Sequence, residues 1–469
     1  MSKLNPRSFR LIKDNLTEKQ QQFIDDLTIR FNKKTLSSKK YIAENRYHLC
    51  DWMNSLGFKL SLKDMLYPIV SHRSEGSHFE DIDGNDYVDI AMGYGVCFHG
   101  HKPKFVYEAI KERLERGFEL GPQTIETGEA ARLIHKLTGV DRVTFCGTGS
   151  EAVMFALRIA RGFTKRDKIV IFANSFHGTF DGVLGKDEKG FTIPVASGTL
   201  KNFVSDIYVL EYGSEKSLEF IKTYSNQLVG VLGEPVQTRN PSLQPVQFLQ
   251  ELRRMASENG FLLIFDETVT GFRVHSGGIQ ALFGIKADIV IYGKALGGGL
   301  PIAAVCGRED IMKVVDGGFY NFGDESMPDP DVIFFAGTYY KHPLSIVATV
   351  ASLKEIEKHN NQLQEKTNGM TTELVNALNN LFINKKVPIK VHHFSSFFRF
   401  MTYGKYPFSN DPIELEVFFL LMILKGIYTW ERRICYLSTA HTKDDLEKII
   451  KAADESIDEM RYGGFDFEI

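Results

Sequence analysis

The sequence contains no hydrophobic run long enough to cross a membrane and no excess of positive charge. Its longest apolar run towards the C-terminus, residues 417–424, is eight residues long, whereas a membrane-spanning helix needs about 20. The first residues, MSKLNPRSFRLIKDN, lack the apolar centre of a signal peptide. Lysine and arginine total 56 against 59 aspartate and glutamate residues, which leaves no basic surplus for a nucleic-acid backbone. We therefore predict a cytoplasmic protein that binds neither membranes nor nucleic acid.

Cysteine is scarce, and no metal-binding motif is present. The five cysteines among 469 residues are odd in number and never form a CxxC pair, so we predict reduced, mostly buried thiols. The pairs His99/His101 and His392/His393 lack the four-residue spacing with which helical histidines share a zinc ion. No GxxxxGK[ST] segment occurs either, which argues against a P-loop nucleotide enzyme. We expect no metal.

The composition that is present, 43% hydrophobic and 25% charged, is that of an ordinary globular protein. Near the N-terminus, Thr17 is placed to cap a helix. The apolar residues that would share one face of this helix are Phe23, Ile24, Leu27 and Phe31. The stretch KKTLSSKK that follows is typical of a linker. We predict a helical arm or linker at residues 1–45, part of a small domain at 46–104, a large domain at 105–345 and the rest of the small domain at 346–469.

Short apolar runs alternate with helical patterns in the predicted large domain. The runs KIVIF, LVGVL, FLLIF and DIVIY begin at residues 168, 228, 261 and 288, and helical spacing occurs at residues 105–114, 151–163 and 245–259. This alternation predicts an α/β fold whose mostly parallel sheet is covered by helices on both faces, together with a smaller α+β domain.

Three candidate features follow the predicted strands, at the sheet edge where ligands gather in such folds. The turn GTGSEA at residues 147–152 leads into a helix, and its amides and the helix dipole favour a phosphate. Asp266 follows FLLIF and either caps a helix or is held for a cationic partner. Lys294 follows DIVIY and is either a surface lysine or, with its pKa lowered by burial, a nucleophilic amine. Together, a phosphate cradle, an acid and a lysine are what pyridoxal phosphate requires.

Five longer segments resemble the class III aminotransferases of the fold type I pyridoxal phosphate enzymes. They are GTGSEAVMFALRIARG, NSFHGTFDG, FDETVTGFR, YGKALGGGLPIAA and FFAGTYYKHPL. The similarity extends from about Leu66 to the C-terminus, and its subgroup is glutamate-1-semialdehyde aminomutase-like. Within that subgroup, EPVQTRNPSLQP, YNFGDES, WERRICYLSTAHT and the prefix LTEKQQQFIDDL resemble aminotransferase domains of hybrid polyketide and nonribosomal peptide synthetases.

The resemblance implies a role for each matching position. Lys294 is the lysine that joins the cofactor as a Schiff base and moves protons, and Asp266 keeps the pyridine nitrogen protonated. The other cofactor positions that it implies are Thr148, Gly149, Ser150, Phe176, His177, Glu234 and Gln237. Gly337 and Thr338 match a motif that reaches the phosphate of a neighbouring subunit, which implies a homodimer with shared active sites.

The sequence departs from the family pattern at two places, one residue and one pair of residues. Thr268 stands where an apolar residue usually packs against the ring, so we expect tuning of the cofactor, not loss of activity. Arg432 and Arg433 replace a small residue and a basic one, which changes the loop after Glu431. Since a dicarboxylate amino donor needs cationic partners, Arg399 and Arg432 are candidate substrate residues. The resemblance implies Glu431 as a third, an acid that can pair with an arginine or with a substrate amine.

The leading hypothesis is a pyridoxal phosphate aminotransferase that converts a β-ketoacyl thioester, presented by an acyl carrier protein, into a β-aminoacyl thioester. A small amino acid, glutamate or glutamine, would be the donor. The alternatives are a glutamate-1-semialdehyde aminomutase, which needs no separate donor, and an aldehyde-accepting ω-aminotransferase. A catalytically silent scaffold of this fold is disfavoured because both Lys294 and Asp266 are present.

Overall fold

The structure, a computed structural model, describes residues 15–55, 58–403, 412–429 and 434–465. Contacts divide the chain into two compact units. The large unit contains residues 96–98 and 104–366. Among the described residues, the small unit contains those up to Gly95, residues 99–103 and those from Thr367 onwards.

Helices and short strands follow one another along the described residues. The α-helices are α1 (Glu18–Lys34), α2 (Leu36–Asn45), α3 (Lys104–Arg116), α4 (Ile125–Thr138), α5 (Gly149–Thr164), α6 (Glu215–Tyr224), α7 (Val246–Asn259), α8 (Gly278–Phe283), α9 (Glu309–Asp316), α10 (Pro343–His359), α11 (Gln362–Asn384), α12 (Ile413–Leu424) and α13 (Lys443–Tyr462). The strands are β1 (Ser71–Glu75), β2 (His78–Asp81), β3 (Asp86–Asp89), β4 (Arg142–Cys146), β5 (Lys168–Phe172), β6 (Gly185–Glu188), β7 (Phe191–Pro194), β8 (Ile207–Leu210), β9 (Leu228–Gly233), β10 (Leu262–Glu267), β11 (Ile289–Tyr292), β12 (Ala303–Gly307), β13 (Ile389–Phe394), β14 (Phe397–Thr402), β15 (Ile427–Tyr428) and β16 (Cys435–Tyr436).

The large unit is built on a seven-stranded sheet with the order β4-β12-β11-β10-β9-β5-β8. Strands β8, β5, β9, β10 and β11 pair in parallel, and β12 runs antiparallel to both β11 and β4. In β10, Leu263 enters one hydrophobic core while Leu262 and Ile264 enter another, because successive strand residues point to opposite faces. The predicted α/β fold with a mostly parallel sheet is confirmed.

Helices cover both faces of this sheet. Side chains of α4, α7 and α10 join the core that contains Leu263, and those of α5 and α9 join the core that contains Ile264. Helix α10 also packs on α3 and α4. For this reason the division between the units falls after Lys366, within α11, and not after residue 345 as we expected from the sequence.

The small unit contains a four-stranded sheet, β1-β2-β3-β15, and a three-stranded sheet, β13-β14-β16. Its core draws side chains from α1, α11, α12 and α13. The apolar run at residues 417–424 lies in α12, where Val417 through Met422 are buried. Within the described parts of the chain, no helix combines the length and the apolar character that a membrane span requires.

The N-terminal helix is confirmed in detail. Thr17 caps α1 through a capping box with Gln20, and the buried residues of α1 are Phe23, Ile24, Leu27 and Phe31. At KKTLSSKK, where we expect a docking arm or linker, the chain turns at Thr35 and continues as α2. Asp83, far along the chain, accepts hydrogen bonds from the amides of Ser37 and Ser38 at 2.7 and 3.1 Å and so satisfies the start of α2.

Candidate active site

The carboxyl ends of three neighbouring strands meet at one edge of the large sheet. Phe265 of β10 pairs with Gly233 of β9, and Glu267 of β10 pairs with Tyr292 of β11. Glu234, Asp266 and Lys294 therefore lie at the same sheet edge, where ligands of such folds bind.

Asp266 is buried there as an ionised carboxylate with donors on both oxygens. Its Oδ2 lies 2.8 Å from Nδ1 of His177, and its Oδ1 accepts hydrogen bonds from the amide of Thr268 at 3.1 Å and the hydroxyl of Thr268 at 2.6 Å. Burial by itself raises the pKa of Asp266, but the bonds from His177 and Thr268 outweigh it, and the net pKa is lowered. The site thus contains a fixed negative charge at neutral pH.

His177 lies between that carboxylate and the rest of the site. Its ring is 4% exposed, and its Nε2 has no hydrogen-bond partner among the described residues. A buried polar atom without a hydrogen-bond partner costs free energy. Nε2 of His177 therefore marks a position where a polar atom of a bound group can supply the missing hydrogen bond.

Glu234 and Gln237 organise the segment that precedes His177. Glu234 accepts hydrogen bonds from the amides of Phe176 at 2.9 Å and Thr238 at 3.1 Å. Burial raises the pKa of Glu234 despite the nearby His177. Gln237 donates from Nε2 to the carbonyl of Ala173 at 2.8 Å and to Oγ of Ser175 at 2.9 Å. These bonds fix the backbone that carries Phe176.

Phe176 itself is 45% exposed, although hydrogen bonds of Glu234 and Gln237 fix the segment that carries it. The guanidinium of Arg239 lies 5.7 Å from the centre of its ring, within the range of a cation–π contact. Its ring is therefore available to stack against a flat ligand.

The first turn of α5 forms an anion-binding cradle. Thr148 caps the helix by accepting a bond from the amide of Glu151, whose carboxylate accepts bonds from the amides of Gly147 and Thr148. This capping box does not use the amides of Gly149 and Ser150. Since the first amides of a helix and its dipole favour negative charge, those two amides suit a phosphate.

Ser150 is tied to the loop that carries His177. The amide of Thr179 donates to Oγ of Ser150 at 3.0 Å. Gly178 has φ +83° and packs so closely that a Cβ there would lie 2.9 Å from Cα of Ser150. Only glycine meets both conditions without strain.

Lys294 begins a short 3-10 helix, Lys294–Gly297, directly after β11. Its φ of +45° is uncommon for a residue with a side chain and is typical of functional sites. The pKa of Lys294 is lowered to about 8, chiefly by burial and also by Arg273, whereas Glu234 and Asp266 act in the opposite direction. A lysine with such a pKa supplies a neutral amine near physiological pH.

The remaining predicted site residues lie on other elements of the chain or outside the described residues. Gly337 and Thr338 are exposed in the loop between α9 and α10, and Arg399 is half-buried on β14 of the small unit. Glu431 and Arg432 lie outside the described residues. Of the proposed cofactor positions, the structure brings together those from Thr148 to Lys294 and leaves Gly337 and Thr338 on the surface of this chain.

Sequence reasoning overlooked three contributors to the site: Thr179, Ser175 and the hydroxyl of Thr268. The first two act only through long-range contacts, so their positions carry no local signal. Thr268 is named above for its expected effect on the cofactor, but its bond to Asp266 was not predicted; the local signal for it is an Asp followed two residues later by a hydroxyl residue, which favours a local side-chain-to-backbone turn.

These residues fit pyridoxal phosphate. The cradle at α5 suits its phosphate, the ionised Asp266 suits a protonated ring nitrogen, the exposed Phe176 suits its ring face, and Lys294 suits its carbonyl carbon. In the described part of the chain, no cluster of three or more His, Cys, Asp or Glu side chains is arranged to hold a metal ion.

Comparisons with known proteins agree with this fit. The model of the family described as Aminotransferase class-III matches residues 61–398. A glutamate-1-semialdehyde 2,1-aminomutase of Archaeoglobus fulgidus is 37% identical over 404 residues, which cover 83% of this chain and 93% of that protein.

Two solved structures extend the likeness to almost the whole chain. A transaminase with bound pyridoxal phosphate has a TM-score of 0.80 at 23% identity and covers 91% of this chain and 99% of its own. A β-phenylalanine aminotransferase of Variovorax paradoxus has a TM-score of 0.77 at 25% identity, with 93% and 97% covered.

Proposed function

This chain belongs to the class III aminotransferase family, and from that premise we propose that it moves an amino group between neighbouring carbons of a glutamate-1-semialdehyde molecule. It is an enzyme, and its cofactor is pyridoxal phosphate. The name of the Archaeoglobus relative supports the substrate. The observation that carries the proposal is the lysine of lowered pKa at the same sheet edge as a buried, ionised aspartate.

When bound, pyridoxal phosphate withdraws electrons from the carbon that bears the nitrogen. The protein's part in this proposal is to hold the cofactor. The amides of Gly149 and Ser150 hold the phosphate, the hydroxyl of Thr148 supports that turn, and Phe176 packs on the ring. Asp266, oriented by His177, keeps the ring nitrogen protonated. These contacts fix the cofactor without taking part in proton transfer.

Lys294 is the proton carrier. Burial lowers the pKa of its amine to about 8, so near neutral pH both its protonated and its neutral form are populated. A group whose pKa lies near the working pH is the most effective general acid and base. Lys294 can therefore remove a proton at one carbon of the substrate and return it at the neighbouring carbon.

The test is turnover without an amino donor. Holoenzyme is mixed with glutamate-1-semialdehyde and no other amino compound, and loss of the aldehyde is followed over many turnovers. We expect complete conversion, since the substrate and the rearranged product each contain one amino group and no nitrogen has to be supplied from outside. A requirement for one added amino acid per turnover would overturn the aminomutase proposal and leave the family assignment intact.

A Lys294→Ala variant is the control for the role of the lysine. It should retain the fold, because Lys294 lies at the end of β11 and outside both hydrophobic cores, but it should lose turnover. Repeated turnover by this variant would show that another group moves the proton.

A second candidate is the conversion of a carrier-bound β-ketoacyl thioester to a β-aminoacyl thioester, with glutamate or glutamine as donor. Two observations favour it. The solved β-phenylalanine aminotransferase is named for a β-amino substrate, and helices α1 and α2 lie outside the matched residues 61–398. In this second candidate, α1 and α2 would supply the surface on which an acyl carrier protein docks.

The amino-loaded enzyme separates these substrates. A 3-oxoacyl thioester on its carrier protein is added to the pyridoxamine form, and the visible absorption of the aldehyde form is measured. Stoichiometric return of that absorption supports the second candidate over the aminomutase. Return with a simple free aldehyde alone indicates an ω-aminotransferase that accepts aldehydes.

We also propose that the enzyme is a homodimer in which Gly337 and Thr338 serve the phosphate of the partner's site. Both are exposed in this chain, and the same loop exposes Phe322 and Phe334 at 94% and 79%. Large exposed apolar side chains of this kind mark interaction surfaces. Light scattering of the holoenzyme should give twice the chain mass of 53.2 kDa; a monomer with full activity would refute the shared site.

A further inference from the structure

Thr268 lies beside three separate parts of the active site. Its hydroxyl donates to Oδ1 of Asp266 at 2.6 Å. Its Cγ2 methyl occupies the space in front of two glycines: a Cβ added to Gly149, at the start of α5, would lie 3.2 Å from it, and a Cβ added to Gly293, directly before Lys294, would lie 3.1 Å from it. One side chain thus bonds to the acid and borders both the phosphate cradle and the segment that carries the lysine.

We propose that Thr268 is a positioning residue whose hydroxyl holds Asp266 in the ionised form that a protonated ring nitrogen requires, and whose methyl sets the spacing between α5 and the turn before Lys294. The proposal concerns the cofactor alone and holds for any amino acceptor.

The hydroxyl contact is a specific feature of this residue. The amide of Thr268 also donates to Asp266 at 3.1 Å, but every residue except proline could make that backbone bond. Only serine or threonine could add the hydroxyl bond at this position. Because the backbone turn is complete without it, the hydroxyl serves the charge of the carboxylate and not the fold.

The surroundings of Asp266 make this donor important. The carboxyl is 6% exposed, and burial penalises its charged form. The negative charge of Asp266 in turn helps to raise the pKa of Glu234 and of Glu267, so the charged form of Asp266 lies close to two other acids. Lys294 is a cationic neighbour, but its amine is the group that would react with the cofactor.

The remaining support comes from His177, which reaches only the other oxygen, Oδ2. Oδ1 has the amide and the hydroxyl of Thr268 as its donors. Burial acts to raise the pKa of Asp266, but His177 and Thr268 produce a net lowering, as expected when each residue donates to one of the two oxygens. Loss of the hydroxyl should raise that pKa, so protonation of the carboxyl would begin at a higher pH.

Two substitutions separate the hydroxyl from the methyl. Thr268→Val keeps the methyl that faces Gly149 and Gly293 and replaces the hydroxyl with a second methyl, whereas Thr268→Ser keeps the hydroxyl and removes the methyl. Both are made in the full chain. Their thermal unfolding as apoenzyme reports whether either substitution disturbs the fold.

The first measurement is the affinity of the enzyme for pyridoxal phosphate as a function of pH. For Thr268→Val we expect about tenfold weaker binding at neutral pH, the fold-change that follows from losing one hydrogen bond to a charged group. We also expect the acidic limb of the affinity curve to move to higher pH by about one pH unit. Thr268→Ser should keep the acidic limb of the wild-type enzyme.

The second measurement is the NMR signal of bound pyridoxal phosphate with an isotopically labelled ring nitrogen. The wild-type enzyme and Thr268→Ser should give the protonated-ring shift, and Thr268→Val should move towards the unprotonated shift. If Thr268→Val keeps the wild-type shift and pH curve, or if Thr268→Ser changes them as much as Thr268→Val does, the role assigned to the hydroxyl is overturned. Neither readout uses a substrate, so failure here is separate from failure of the proposed function.

Discussion

Replacing Gly178 by alanine tests the contact between the His177 loop and the first turn of α5. Gly178 has φ +83°, and a Cβ there would overlap Oγ of Ser150 and lie 2.9 Å from its Cα. The substitution therefore adds two costs, one from the backbone conformation and one from the neighbour. Because Ser150 belongs to the phosphate cradle, the second cost also affects the cofactor.

The magnitudes follow from these contacts. A side chain in the left-handed region costs about 1–2 kcal/mol. Displacing Ser150 adds about 1–3 kcal/mol of overpacking, and losing the bond from the Thr179 amide, 3.0 Å long, adds about 1 kcal/mol. We expect Gly178→Ala to lower the free energy of unfolding by about 3–6 kcal/mol.

Gly190 provides a matched control. It lies in the turn between β6 and β7 with φ +86° and has no atom within 4 Å of the Cβ position, so Gly190→Ala should cost only the backbone part of about 1–2 kcal/mol. Urea unfolding of the apoenzymes measures both values, and equilibrium dialysis measures retention of pyridoxal phosphate, which only Gly178→Ala should weaken. Equal destabilisation by the two substitutions would refute the contact with Ser150.

Three further predictions concern other parts of the chain. Leu27 of α1 is fully buried and Ile29 is 68% exposed, so in urea unfolding Leu27→Ala should cost about 2–5 kcal/mol and Ile29→Ala less than about 0.5 kcal/mol. Burial raises the pKa of Asp445, but bonds from Thr442, His78 and Ser77 lower it to about 2. The ionised carboxylate should therefore stabilise the fold above its ordinary pKa of 3.8, and this stabilisation should be lost as the pH falls from there towards 2. In acid unfolding, Asp445→Asn should lack this loss of stability between pH 3.8 and 2. Since burial lowers the pKa of Lys294 to about 8, the rate of pyridoxal phosphate addition to the apoenzyme should rise with pH up to about 8 and then level off, whereas a continued rise to pH 10 would contradict the lowered pKa.

The parts of the fold that sequence could predict are those encoded by local patterns. The cap at Thr17 and the buried face of α1 follow from helical periodicity, and the run KIVIF coincides with β5. Strands β4, β8 and β12 were not identified. The sequence does not predict that α2 begins as a separate helix after Thr35, because its first amides are satisfied by Asp83, a partner more than 40 residues away in sequence that no local pattern reveals.

In the candidate site, too, local patterns predict some residues, whereas the contacts between them could not be predicted. The turn before α5, Asp266 and Lys294 each follow a recognisable strand or precede a recognisable helix, and the sheet geometry brings them to one edge. The interactions that tune them are long-range: His177 bonds to Asp266 across 89 positions of the chain, and Arg273 acts on the pKa of Lys294 through space. Spacing along the sequence carries no information about such pairs.

The core of the small unit has a consequence for synthesis on the ribosome. It joins side chains of α1 to those of α12 and α13, Gln20 of α1 donates to the carbonyl of Gly464, and the rings of Phe23 and Phe465 lie 5.8 Å apart. Helix α1 leaves the ribosome before most of this core: Leu62, Met65 and Tyr67 follow it closely, but α12 and α13 are translated much later. At about 5–20 residues per second, the part of its apolar face that packs on α12 and α13 lacks those partners for roughly 20–90 s, while residues 104–366 can already fold. Over that interval the nascent chain presents a defined hydrophobic helix to chaperones that bind growing chains.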